Sequence, residues 1–274
     1  MTAGGLSINQ ATTETSSTLD LLAAATAAGV ERVAPWRHQY VEGDVTRTRQ
    51  ALDDHGIVAS SLCRGGFFTG TRSRDEADAD NRRAVEEAAI LGAPVLVLVC
   101  GPAVDGDSAA SVGRIRDGIE RLLPFAVEHD VVLAVEPFHP MFLAERSAIV
   151  TLDQATDLVE DIDHPYLGIV VDTYHVWWDP GLDSALARAV GRTVGVHVAD
   201  WLVPTPSLLA GRGLPGDGVI DLAAILRTLA RGGYAGDIEV EVLNEAVWSR
   251  PAHEVVADIV ERTAPLLAGA GVAA

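Results

Sequence analysis

Positive charge is scarce in this 274-residue chain: 20 Lys and Arg face 39 Asp and Glu, a formal net charge of −19. A surface this negative repels phosphate backbones and anionic bilayers, which argues against nucleic acid or a membrane as partner. No run of basic residues offers a local exception. Cysteine is nearly missing too: Cys63 and Cys100 cannot build a disulfide framework, so a reducing cytoplasm is the expected compartment. The opening residues, MTAGGLSINQ, lack a basic segment leading into an apolar one, so no signal peptide is expected. Apolar runs stop well short of the roughly 18 residues that span a bilayer. No Pro-, Gly- or Ser-rich linker and no repeat divides the chain, so one domain over residues 1–274 is expected. What the chain does have is apolar mass, 48% of its residues, ample for a large core.

Two textures alternate along it. Short segments rich in Val and Ile recur at 6–10, 30–36, 56–62, 93–101, 131–138, 167–175, 193–200 and 237–244. Several are apolar at almost every position, as parallel strands covered on both faces are. Between them lie longer Ala-, Leu-, Glu- and Arg-rich stretches such as 75–93, where Ala84, Ala88 and Leu91 keep helical spacing while Arg82, Arg83, Glu86 and Glu87 fill the wet face. Gly29, Gly56, Gly92 and Gly232 stand where these helices should end. Eight strand–helix units at about 34 residues each predict an α/β fold, a (β/α)8 TIM barrel. A doubly wound open sheet would carry a glycine-rich phosphate loop after its first strand; NQATTETSS has no glycine.

A barrel of this kind does its chemistry at the C-terminal ends of its strands. Four successive predicted strands deliver carboxylate or imidazole there: Glu136 in AVEPFHP, Asp172 and then His175 in VVDTYH, His197 and then Asp200 in VHVAD, and Glu239 with Glu241 in IEVEVLN. Taken singly, Asp172 also reads as a helix N-cap and His197 as a core histidine. Their joint occurrence points to a hard divalent ion with positions left for substrate oxygens, and the missing thiolates argue against a structural zinc site.

The ordered set AVEPFHP, VVDTYHVWWDP, GVHVAD, GRGLPGDGVID and IEVEVLN resembles the xylose isomerase-like superfamily, and within it the sugar phosphate isomerase/epimerase group. The resemblance implies a metal held by Glu136, Asp172, His197 and Glu241, with Mn2+ first and Mg2+ or Co2+ as alternatives. Glu239 faces the same side of its strand as Glu241 and is the alternative fourth ligand. Glu136 and Glu241 match the proton-exchanging pair, His175 a substrate-contacting histidine, and Arg212 an arginine that meets substrate oxygens. Trp177 and Trp178 suit an apolar wall, and Trp36, Arg37 and His38 follow the second strand towards the same rim. In one place the pattern departs. Ketose 3-epimerases carry a second glutamate where this chain has Phe142, while His139 stands three residues after Glu136 as a further acid–base candidate.

The implied chemistry is removal of the proton beside a carbonyl of a keto-sugar or related polyol, giving an enediolate. Returning the proton makes an isomerase or epimerase, the first reading. Expelling a β-substituent makes a lyase, the alternative: an inosose dehydratase-like enzyme, or one that cleaves 3-keto-glycosides with a small partner subunit. A homo-oligomer fits either. A DNA-repair endonuclease of the same superfamily would need more histidines from the early strands and a basic groove, and none precedes His38.

Overall fold

The structure, a computed structural model, describes residues 4–270. The strands are β1 (Leu6–Asn9), β2 (Arg32–Ala34), β3 (Val58–Ala59), β4 (Leu62–Gly66), β5 (Val95–Val99), β6 (Val132–Val135), β7 (Leu167–Asp172), β8 (Thr193–Val198), β9 (Asp200–Trp201), β10 (Arg212–Gly213) and β11 (Ile238–Val240). The helices are α1 (Thr18–Ala27), α2 (Val45–His55), α3 (Arg74–Leu91), α4 (Ser108–Glu128), α5 (Leu152–Ile162), α6 (Thr173–Val176), α7 (Leu182–Ala189), α8 (Leu222–Arg231), α9 (Glu245–Trp248) and α10 (Ala252–Ala270). Nine strands form one parallel sheet in the order β3-β2-β1-β11-β8-β7-β6-β5-β4. Its two ends, β3 and β4, are halves of the third predicted strand. A bridge from Trp36, just past β2, to Cys63 on β4 draws them together and nearly closes the barrel.

The third strand therefore differs from its expected extent of 56–62. It breaks at Ser60 and Ser61, whose hydroxyls turn inward to a carboxylate, and resumes to Gly66. The polar run CRGG hid this second half from a search for apolar texture.

Helix boundaries follow capping chemistry. Ser17 with Asp20, and Ser73 with Glu76, form reciprocal capping boxes at the starts of α1 and α3. Gly56 and Gly92 take left-handed φ of 66° and 70° to end α2 and α3, a conformation other residues resist. After α8 the left-handed residue is Gly233, φ 97°, one beyond the expected Gly232.

The strand period of two sorts side chains between the outer core and the barrel interior. Leu6, Ile8, Leu96, Leu98, Ile238 and Val240 face the helices and are buried. Inside, Val95, Val97, Ala134 and Val170 form a small apolar plug. The opposite wall is polar, with Ser7 Oγ 2.7 Å from Ser60 Oγ, and Asn9 and Glu239 buried beside them. The interior is thus apolar beneath β5–β7 and polar beneath β11, β1 and the third strand.

Candidate active site

The same alternation lifts reactive groups onto the rim. Ala134 points inward, so Glu136 does; Val170 and Asp172 share a face, as do Glu239 and Glu241. The sheet register sets Asp172, His197 and Glu239 side by side across β7, β8 and β11. Glu136, Asp172, His197 and Glu241 are all buried, and one ligand atom from each lies within 4.8 Å of the others. These four can hold a metal ion.

The surroundings fit that use. His197 Nδ1 is 3.0 Å from Glu136 Oε1, while Nε2 faces Glu239 Oε1 at 3.2 Å. Burial disfavours a charged His197, but Glu239, Glu136 and Glu241 outweigh it and raise its pKa to about 10. Glu136 rises to about 7, chiefly because burial and the neighbouring carboxylates Glu241 and Asp172 oppose its charge, with His197 acting the other way. A protonated imidazole between carboxylates occupies the electrostatic place of a cation, and a metal ion would displace its Nδ1 proton.

Glu239 and Glu241 have separate environments. Glu239 accepts from Asn9 Nδ2 at 2.6 Å and from the Ser60 and Ser61 hydroxyls at 3.0 Å each. With His197 Nε2 added, its oxygens are committed, and the group of four contains Glu241 instead. Glu239 fixes the ring of a candidate ligand, as a carboxylate behind a metal-binding histidine does. Nothing in its spacing reveals this, since both glutamates share a face; the serines across the barrel decide it.

Arg212 closes the other side. Its Nη1 lies 3.0 Å from Asp172 Oδ2 and 2.6 Å from Glu241 Oε2, and Nη2 is 3.3 Å from His175 Nε2. A guanidinium only donates, so His175 Nε2 accepts and its proton sits on Nδ1. Burial, with Arg212 adding to it against Asp172, lowers the His175 pKa to about 3, consistent with a neutral ring. His175 Nδ1, Trp177 Nε1 and Arg212 Nε are all buried with no partner among the described residues. Buried donors rarely stay unpaired, which makes these three exceptions among the described residues.

Asp172 is both N-cap and member of the group: one oxygen accepts from Tyr174 N at 2.8 Å, the other faces Arg212. Asp200, expected at the same rim, is consumed locally. It accepts from the backbone N–H of Trp201, Gly216, Gly218 and Ile220, and so pins the loop that carries Arg212.

His139 is half-buried, stacked on Trp201 at 5.4 Å and edge-on to Trp178. Its Nδ1 accepts from Met141 N at 3.2 Å, so a neutral ring carries its proton on Nε2. Burial lowers its pKa. Phe142 is buried between Phe138 and His175. Trp178 spends its indole N–H on His175 O. Arg37 and His38 turn away from the group, to Glu87 with Asp80 and to Glu14, while the Trp36 indole holds Asn9.

Comparison with known proteins places this arrangement. A family model described as xylose isomerase-like TIM barrel matches residues 19–264. The chain belongs to that family. A crystal structure of protein SMc04130 from Sinorhizobium meliloti is similar over 96% of this chain and 98% of that one, at 41% identity and a TM-score of 0.91. A 3-dehydroshikimate dehydratase of Pseudomonas putida is 29% identical over 259 residues, 90% of this chain. This xylose isomerase-like chain spans only 40% of that dehydratase's length. A ketose 3-epimerase of Arthrobacter globiformis is 26% identical over 219 residues, 74% of this chain and 70% of the epimerase. The curated relatives thus include both lyases and epimerases. No described helix is long and apolar enough to cross a membrane.

Proposed function

We propose that this chain is a divalent-metal-dependent enzyme that removes a proton beside the carbonyl of a polyhydroxylated keto substrate and then eliminates a β-hydroxyl as water. The observation that carries this reading is the buried group of Glu136, Asp172, His197 and Glu241, whose ligand atoms lie within 4.8 Å of one another, with Arg212 and His175 against it. Glu136, Asp172, His197 and Glu241 would hold the ion, Mn2+ being the preferred candidate. When bound, the ion supplies Lewis-acid polarisation of the carbonyl.

Glu241 then takes the proton, and the chain positions it for that: its backbone N–H is fixed to Val198 O at 3.1 Å, and Arg212 orients its carboxylate. His139 supports the elimination reading. With Nδ1 accepting from Met141 N, its neutral ring presents Nε2–H as a hydrogen-bond donor to the departing hydroxyl; that hydroxyl leaves as water with the proton Glu241 took from carbon, and the electrons of the broken C–H bond form the new C=C bond. The chain contains no lysine, so a Schiff-base route is closed to it. The dehydratase relative covers more of this chain than the epimerase does.

Epimerisation is the second reading, favoured by Glu136 and Glu241 standing in one group as a pair able to remove and return a proton. Solvent exchange separates the two. Mn2+-loaded protein is incubated in D2O with 3-dehydroshikimate, L-ribulose 5-phosphate and a neutral ketose. Loss of water from a substrate supports elimination; deuterium entering a carbon without loss of water supports epimerisation. No reaction and no exchange with any of them would count against proton abstraction.

A further inference from the structure

Two of the four candidate ligands share a cation that belongs to the chain itself. Arg212 Nη1 lies 2.6 Å from Glu241 Oε2 and 3.0 Å from Asp172 Oδ2, and all three side chains are buried. The chain holds this contact from several sides. Arg212 pairs with Trp201 across β10 and β9, in the loop that Asp200 pins. On its other side, Arg212 N donates to Leu243 O at 3.2 Å, and Arg212 O accepts from Asn244 Nδ2 at 2.7 Å. The guanidinium carbon stands 4.8 Å from the centre of the Tyr174 ring, and Nη2 reaches His175 Nε2. With its backbone anchored on both edges and its fork laid against a ring, the charge is fixed on these two carboxylates.

A guanidinium does not lose its proton in a protein, so the charge is permanent. Its two effects on an incoming divalent ion oppose each other. Orienting the carboxylates favours binding, whereas a positive charge beside the ion disfavours it. The first effect is the smaller, because both residues keep other anchors. Asp172 Oδ1 accepts from Tyr174 N at 2.8 Å, and the Glu241 N–H donates to Val198 O at 3.1 Å. The second is large, since charges a few ångströms apart in a buried group are little screened by water or salt.

We infer that Arg212 sets the strength of the metal centre: as a resident counter-charge on Asp172 and Glu241, it weakens the hold of the four-residue group on a divalent ion. Carboxylates that spend charge on an arginine give less of it to an ion, which leaves more Lewis acidity for a bound substrate. The inference shares the metal centre with the proposed function and needs none of its proton chemistry.

The full chain, stripped of metal with a chelator and dialysed, is titrated with Mn2+ by calorimetry at pH 8, beside Arg212→Gln and Arg212→Lys. Arg212→Gln should bind Mn2+ about tenfold or more tightly than the parent; Arg212→Lys, which keeps the charge, should stay within about threefold of it. Damage to the site weakens binding, so a gain in affinity is a result that a merely structural role does not produce. Without metal, Arg212→Gln should melt below the parent, because buried carboxylates have lost a counter-charge. Saturating Mn2+ should raise its melting temperature by more than it raises the parent's. Equal tightening in Arg212→Lys, or an Arg212→Gln chain that stays unfolded even in millimolar Mn2+, would overturn the inference. A parent that binds Mn2+ beside an Arg212→Gln that binds it no more tightly would also overturn it, and would leave the proposed function standing. Tighter binding in Arg212→Gln without solvent exchange by the parent on any substrate would support it and sink the proposed chemistry. No Mn2+ binding by the parent or either variant would overturn both.

Discussion

Two glutamates one residue apart, Glu239 and Glu241, have opposite assignments in this account, and substitution separates them. Glu241→Gln keeps size and one ligand oxygen but removes the proposed base. Turnover should fall by roughly 10²–10⁴-fold while some metal binding survives, and near-normal turnover would mean another base. Glu239→Gln leaves the four-residue group intact but loosens the His197 ring, so metal affinity should fall about 10–100-fold; an unchanged dissociation constant would refute its orienting role. Protons compete for the same atoms. With His197 raised to about 10 and Glu136 to about 7 in the metal-free chain, an incoming ion must expel protons from groups that hold them. Affinity should therefore climb with pH from about 6 to 8. Each ion should release about one proton at pH 8 and more at pH 6, measurable by calorimetry in buffers of different ionisation heat. At this scale the sequence was informative where a polar residue ended an apolar strand, as with Glu136 and Asp172. It left Glu239 as an alternative ligand to Glu241, because the partners that decide its role, Asn9, Ser60 and Ser61, come from segments far away in the chain.

Among the elements, the connection from β9 to the region after β10 is held by one side chain. Asp200 collects four backbone N–H groups, and Arg212 sits on the strand paired with it. Gly218 permits this closeness, since a Cβ there would stand 2.2 Å from Trp201 O. Asp200→Ala leaves those donors without acceptors and should cost about 3 kcal/mol or more, read from the denaturation midpoint, and should also loosen Arg212. Parental stability in that variant would show that water replaces the carboxylate freely. The GRGLPGDG run announces a tight loop, but the residue that anchors it lies more than ten positions earlier, which is why Asp200 read as one more rim carboxylate. The third strand misled for a related reason. Its break at Ser60–Ser61 serves a buried carboxylate, and apolar patterning carries no trace of such a partner.

For the whole molecule, the alternation of eight apolar segments with eight helical stretches was enough to predict the barrel, because strands buried on both faces leave a strong signature. The charge has a separate consequence. A net −19 repels itself across the surface, and the many exposed Arg–carboxylate pairs offset only part of it. Salt that screens the long-range repulsion should raise the melting temperature by a few degrees between about 0.01 and 0.15 M ionic strength. A falling melting temperature would show that the surface pairs matter more than the net charge.

The proposed chemistry requires the four-residue group to be a metal centre. The most direct measurement is anomalous diffraction at the manganese edge from crystals grown with Mn2+. The expected result is one ion at the barrel mouth, bound by Glu136, Asp172, His197 Nδ1 and Glu241 at roughly 2.0–2.3 Å, with Glu239 still on His197 Nε2. An ion bound elsewhere, or no ion at millimolar Mn2+ with His197 still lodged between Glu136 and Glu239, would contradict it.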